Sequence, residues 1–150
     1  MNWQRLHDEI YYCDGSWRDI YVNETTEDDW RKWINFVNDN YPVEFYNGLR
    51  EITANQIDFN AVLDYWRGKT NHGNHATIIV NSIKLNCHFF QITNIENDLD
   101  PKEIVYVTDH EIVLKYMTEV SKLLRKTVVL TPENSPDQPY ISVINGVQVI

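Results

Sequence analysis

Cysteine, glycine and proline are all scarce in this sequence: two, five and five among 150 residues. Cys13 and Cys87 are too few for the disulfide framework of a small secreted scaffold, and their distant spacing carries no metal-ligand signature. No Gly/Ser-rich linker, repeat or low-complexity tract divides the chain, so it reads as a single domain over 1–150. No apolar run approaches the ~18 residues of a membrane span. The opening MNWQRLHDEI carries charge where a secretory leader needs an apolar stretch, and the expected location is cytoplasmic. Basic charge is also short: thirteen Lys and Arg stand against twenty-two Asp and Glu, a formal net charge of −9. That balance argues against a nucleic-acid partner, which needs a basic face for phosphate, and against docking on an anionic membrane surface. What is present is an ordinary globular composition, 43% hydrophobic and 23% charged. A chain of this length hides roughly 68–70% of the surface it exposes when unfolded.

Aromatic and β-branched residues crowd Trp17–Val22 behind Gly15-Ser16, which predicts a strand. Thr25-Thr26-Glu27-Asp28-Asp29 has the chemistry of a helix N-terminus. Trp30, Trp33, Ile34 and Val37 behind it form one apolar stripe, ending near Asn40 because Pro42 disfavours helical geometry at Tyr41. Val43–Tyr46 reads as a short strand, 56–66 as a short helix ending near Gly68, and Thr70–His75 as a polar loop. Ala76–Val80 and Ile83–Ile92 read as strands joined by Asn81-Ser82. In the second of these, Ile83, Leu85, Cys87, Phe89 and Gln91 share the core face. Thr93–Glu103 reads as an acidic loop. Thr108 and Glu111 suggest a capping box opening a second long helix, with Ile112, Val113, Tyr116, Val120, Leu123 and Leu124 as its stripe. Thr127–Leu130 is a strand, and Tyr140–Ile144 and Val147–Ile150 form a hairpin around Asn145-Gly146. Helices and strands do not alternate, so the expected fold is α+β, two principal helices packed on a mainly antiparallel sheet. Its expected core includes Trp33, Val37, Ile79, Leu85, Phe89, Tyr116, Val120 and Leu124.

Candidate chemistry is thin. His72 and His75 bracket a Gly-Asn pair, but a metal needs further ligands in defined geometry, so no metal or other cofactor is expected. Cys87 and His88 are sequence neighbours on a strand and point to opposite faces, so they cannot act as nucleophile and base. Glu96, Asp98 and Asp100 resemble a calcium loop only in part: its sixth and twelfth positions hold Pro101 and Val107 rather than Gly and Glu. No Gly-rich phosphate loop, Gly-x-Ser-x-Gly elbow or His-Glu-x-x-His occurs. The chain is therefore not expected to be an enzyme.

The acids are the distinctive feature. Six of them (Glu96, Asp98, Asp100, Glu103, Asp109, Glu111) lie between Thr93 and Glu111 against Lys102 alone, and Glu24, Glu27, Asp28 and Asp29 form a second group. Such charge steers a cationic partner. Capping accounts for part of it, but not for Glu96, Asp98 or Asp100. The expected interface is therefore Glu96, Asp98, Asp100 and Glu103, with Glu27, Asp28 and Asp29 as the competing site.

Three segments carry a resemblance: Trp17–Val22 with Thr25–Trp30, Asn86–Phe90 with Asp98–Ile104, and Val129–Asn134. Together they resemble small acidic bacterial proteins encoded beside polymorphic or contact-dependent inhibition toxins. The resemblance implies an immunity protein that binds a cognate toxin domain, such as a basic nuclease, and blocks it. It implies no catalytic residue. Two other classes stay open: a small enzyme would bring His and carboxylate groups together in a pocket, and an adaptor would expose an apolar patch and self-associate.

Overall fold

Thr26 caps the first long helix. Its hydroxyl accepts from Asp29 N at 3.3 Å, and the Asp29 carboxylate accepts from Thr26 N at 2.9 Å. This reciprocal pair satisfies two orphan donors. The stripe behind it, Trp30, Trp33, Ile34 and Val37, is buried, and Pro42 ends the helix as expected.

The protein is described by a computed structural model covering residues 2–149. Its elements are α1 (Trp3–Ile10), β1 (Arg18–Asn23), α2 (Glu27–Asn40), β2 (Val43–Asn47), β3 (Ile52–Ala54), α3 (Phe59–Trp66), β4 (Asn74–Val80), β5 (Ile83–Cys87), β6 (Asn94–Leu99), α4 (Val107–Leu124), β7 (Val128–Pro132), β8 (Ile141–Ile144) and β9 (Val147–Val149). The strands form one sheet in the order β3-β2-β4-β5-β6-β1-β7-β8-β9. Its pairings are antiparallel throughout.

One face of that sheet carries the core. Ile20, Val22, Phe45, Ala76, Ile78, Leu85, Cys87, Ile95, Leu99, Val128 and Leu130 pack there with side chains from all four α-helices. The fold is thus α+β on an antiparallel sheet, with α2 and α4 joined by two shorter helices rather than standing alone. Among the described residues no helix is long and apolar enough to cross a membrane.

Several expectations are corrected. Thr93–Glu103 is not a loop: Asn94–Leu99 is β6, and Pro101–Glu103 a 3-10 turn. Tertiary pairing with β1 overrides the low strand propensity of Asn and Asp. His75 lies on β4 rather than in a loop. Ile79 is only half-buried because Ile78, on the other parity, faces the core. The strand from Ile83 stops at Cys87 because Phe89 takes a left-handed conformation, φ 52°. That turn keeps the Phe89 ring in the core beside Trp30 and Phe45 and leaves Phe90 exposed. Helix α4 starts at Val107 rather than after Thr108, because the Asp109 carboxylate accepts from Val105 N and Tyr106 N. The terminal hairpin turns as expected, with Asn145 and Gly146 both at positive φ; Ile150 lies outside the described residues.

Candidate functional site

Register decides which polar side chains meet on the face away from the helices. Asp19 on β1 stands opposite Asp98 on β6, and Tyr21 opposite Glu96. Asn86 on β5 pairs with Asp98, Thr77 with Asn86, and Tyr46 with His75. A polar row therefore crosses five adjacent strands.

Hydrogen bonds tie this row together. Thr77 Oγ1 donates to Asn86 Oδ1 at 3.1 Å, and Asn86 Nδ2 donates to Asp98 Oδ1 at 3.0 Å. His88 Nε2 stands 3.3 Å from Asp98 Oδ2. The His75 and His88 ring centroids are 4.8 Å apart, and the exposed Phe90 stacks on His88. On the other side, Tyr21 OH donates to Asp19 Oδ2 at 3.0 Å and lies 3.4 Å from Glu96 Oε1. The segment after β7 closes over Asp19, whose Oδ2 accepts from Asn134 N at 2.7 Å.

The electrostatics of this cluster are unfavourable to the fold. Burial, with Asp98 and Glu133 nearby, raises the Asp19 pKa despite the bonds from Asn134 and Tyr21. Burial and then the Asp19 charge raise that of Glu96. Burial and the neighbouring His88 lower that of His75. Burial, reinforced by Asp19 and Glu96, pushes the Tyr21 hydroxyl far above its ordinary range, which keeps it a donor. Among the described residues no Lys or Arg forms an ion pair with Asp19, Glu96 or Asp98; His88 is the one partner, on Asp98.

The remaining sequence-predicted acids have local partners. Asp100 accepts from Lys102 N at the 3-10 turn, and Glu103 Oε2 accepts from Lys84 N. Glu27 pairs with Arg67 at 2.8 Å and Arg31 at 3.5 Å, and Asp28 with Lys32 at 3.2 Å. Asp29 is buried in its cap, 3.7 Å from Lys126 Nζ. Only Glu96 and Asp98 of the expected set stand on the polar row; Asp19, outside that set, joins them.

The other candidates separate. His72 is exposed before β4, away from the row that holds His75. Among the described residues no three His, Cys, Asp or Glu side chains are placed to hold a metal ion. Cys87 is fully buried on the core face, and burial pushes its thiol pKa well up, leaving it unreactive.

A pH test follows from Asp19. A carboxyl whose folded pKa lies above its unfolded value binds protons more readily in the folded state, so its contribution to stability falls as pH rises through that window. Asp19→Asn should therefore raise the melting temperature at neutral pH. The gain should shrink as pH falls through the raised Asp19 pKa towards the ordinary carboxylate value, about 3.9. Subtracting wild type from variant at each pH removes the opposite contribution of His75 and His110, whose pKa values burial lowers. A gain that grows on acidification would contradict this reading.

The row offers negative charge and hydrogen-bond acceptors on β6 and β1, with the exposed aromatics Tyr46 and Phe90 on its β2–β5 side, and suits a cationic group better than an electrophile. The chain matches no protein-family model, no curated protein and no solved structure.

Proposed function

We propose that this protein is an immunity protein: it binds and neutralises a cognate bacterial toxin domain with a basic surface, such as a nuclease, through the acidic face of its sheet. One observation carries the reading. Glu96 and Asp98 lie partly exposed on the face that no helix covers, beside the buried Asp19, and among the described residues none of the three has a Lys or Arg partner, although burial and mutual repulsion make this costly for the fold. Like charges directly across a strand pair destabilise it. Groups kept at such a cost are candidates for function. The acids of α2, by contrast, have capping and ion-pair roles that explain them without a partner.

An inhibitor of this kind works by occupancy. Its accessible carboxylates, Glu96 and Asp98, take the place of the phosphates that a basic toxin surface would bind, and the exposed Tyr46 and Phe90 supply apolar contact. The experiment is stopped-flow association with the toxin domain encoded beside the gene. Raising salt from about 0.01 M to 1 M shrinks the Debye length from about 30 Å to 3 Å. The association rate should fall at least tenfold over that range. A rate independent of salt, or no complex at all, would contradict the proposal.

The 3.3 Å contact between His88 and Asp98 favours one second reading, general-base catalysis on the same face. Turnover of a small ester or phosphodiester that His88→Gln abolishes would support that reading instead.

A further inference from the structure

On the helical side, a cleft of about 480 Å³ opens between α1, α4 and β8. Leu6, Ile10, Leu114 and Ile141 form apolar walls, and Glu9 stands among the lining residues. His110 lines it too, although only 5% of that residue is exposed. The volume is in the range of small-molecule sites, which pair apolar walls with a few placed polar groups.

His110 is the placed group. Its Nδ1 lies 2.6 Å from the Tyr11 hydroxyl. Burial holds His110 towards its neutral form and pushes the Tyr11 hydroxyl well up, so neither ionises near neutral pH. Among the described residues the Tyr11 hydroxyl has no other acceptor. Its proton therefore goes to Nδ1, and the proton of the neutral imidazole sits on Nε2. Nε2 has no protein partner there, and no side-chain polar atom is both sealed and unpartnered. Nε2–H is thus a reachable donor, and the space His110 lines is the cleft.

We propose that this cleft binds a neutral, mostly apolar small molecule with one hydroxyl or carbonyl oxygen, which accepts from His110 Nε2–H while its apolar body lies against Leu6, Ile10, Leu114 and Ile141. A carboxylate ligand fits less well, because the imidazole is neutral, Glu9 is near and the chain carries −9. The site is independent of the acidic face and does not rest on the function proposed for it.

The test uses the full-length protein and two probes, 4-butylphenol and butylbenzene, followed by NMR of the His110 imidazole and the Leu114 methyl groups. The expected result is saturable binding centred on those residues, with the phenol about tenfold tighter, the worth of one neutral hydrogen bond. Leu114→Trp, which fills the cleft from an α4 position only partly buried, should abolish both. If that variant does not fold, the wild-type comparison of the two probes still decides. Equal affinities, perturbations centred elsewhere, or no saturable binding would overturn the proposal.

Discussion

Trp33→Ala is expected to cost about 3–5 kcal/mol, the range for truncating a large buried aromatic. Trp33 is completely buried on α2. Its indole Nε1 donates to Tyr116 OH at 3.0 Å, and that hydroxyl donates to Asn97 Oδ1 on β6. Trp33 and Tyr116 together thus link both long helices to the middle of the sheet, and Trp30 packs edge-on against Trp33 at 5.4 Å. Truncation leaves a cavity and removes the hydrogen bond that the buried Tyr116 hydroxyl accepts, and the two losses compound. Domains are stable by about 5–15 kcal/mol in total, so the variant should be marginal or unfolded. Urea denaturation checks this: wild type and variant should share a slope while the midpoint drops sharply. Trp33→Phe should fall between them, keeping most of the volume but not the donor. A loss below about 1 kcal/mol would show that this layer tolerates repacking.

Arg18→Ala should be nearly as severe, about 3 kcal/mol, because it removes hydrogen bonds from a charged donor and leaves their carbonyl acceptors unpaired. Arg18 is 1% exposed and, among the described residues, forms no ion pair with a carboxylate. Its guanidinium donates instead to Ile10 O, Tyr12 O at 2.7 Å, Trp17 O at 3.0 Å and Ser16 Oγ at 2.9 Å, and lies 4.5 Å from the Tyr12 ring centroid. It pins the chain between α1 and β1 against the strand. An eight-residue helix has little stability of its own, so α1 should come loose when that clamp is cut. Limited proteolysis should cleave Arg18→Ala within residues 11–17, while wild type resists. Arg18→Lys should recover little, because an ammonium offers three donors and no planar fork. Equal resistance in Arg18→Ala would mean that Trp3 and Tyr11, which pack on His110, hold α1 without it.

The long-range half of the site was the part hidden from the sequence. Helix α2 announces itself by Thr26, its apolar stripe and Pro42, all local signals, and the final hairpin by Asn145-Gly146. The acidic segment misleads because Asn and Asp are poor strand formers, although Ile95, Asn97 and Leu99 alternate with Glu96, Asp98 and Asp100 at the period of two that marks a strand. Trp3, Leu6 and Ile10 likewise sit at helical spacing behind Asn2, whose side chain caps α1. His75 and His88 were within reach. The hairpin at Asn81-Ser82 pairs Ala76 with Cys87, and one more step along that register brings the two imidazoles together. The polar composition of 70–75 masks that step, because it has the look of a loop up to the residue where β4 is already paired. Asp19 is different in kind. Nothing local says that β1 runs beside β6, so no reading of Trp17–Val22 places a carboxylate opposite Asp98.

The most direct test of the acidic face is binding of Glu96→Lys, Asp98→Lys to the proposed partner, a basic toxin domain sought in the neighbouring gene, with folding first verified by circular dichroism. The control is Glu27→Gln, Asp28→Asn, whose acids are engaged in ion pairs on α2. We expect the reversed pair to slow association at least tenfold at low salt and to weaken the complex, while the α2 control matches wild type. Wild-type affinity and rate in the reversed pair would contradict the assignment of this face.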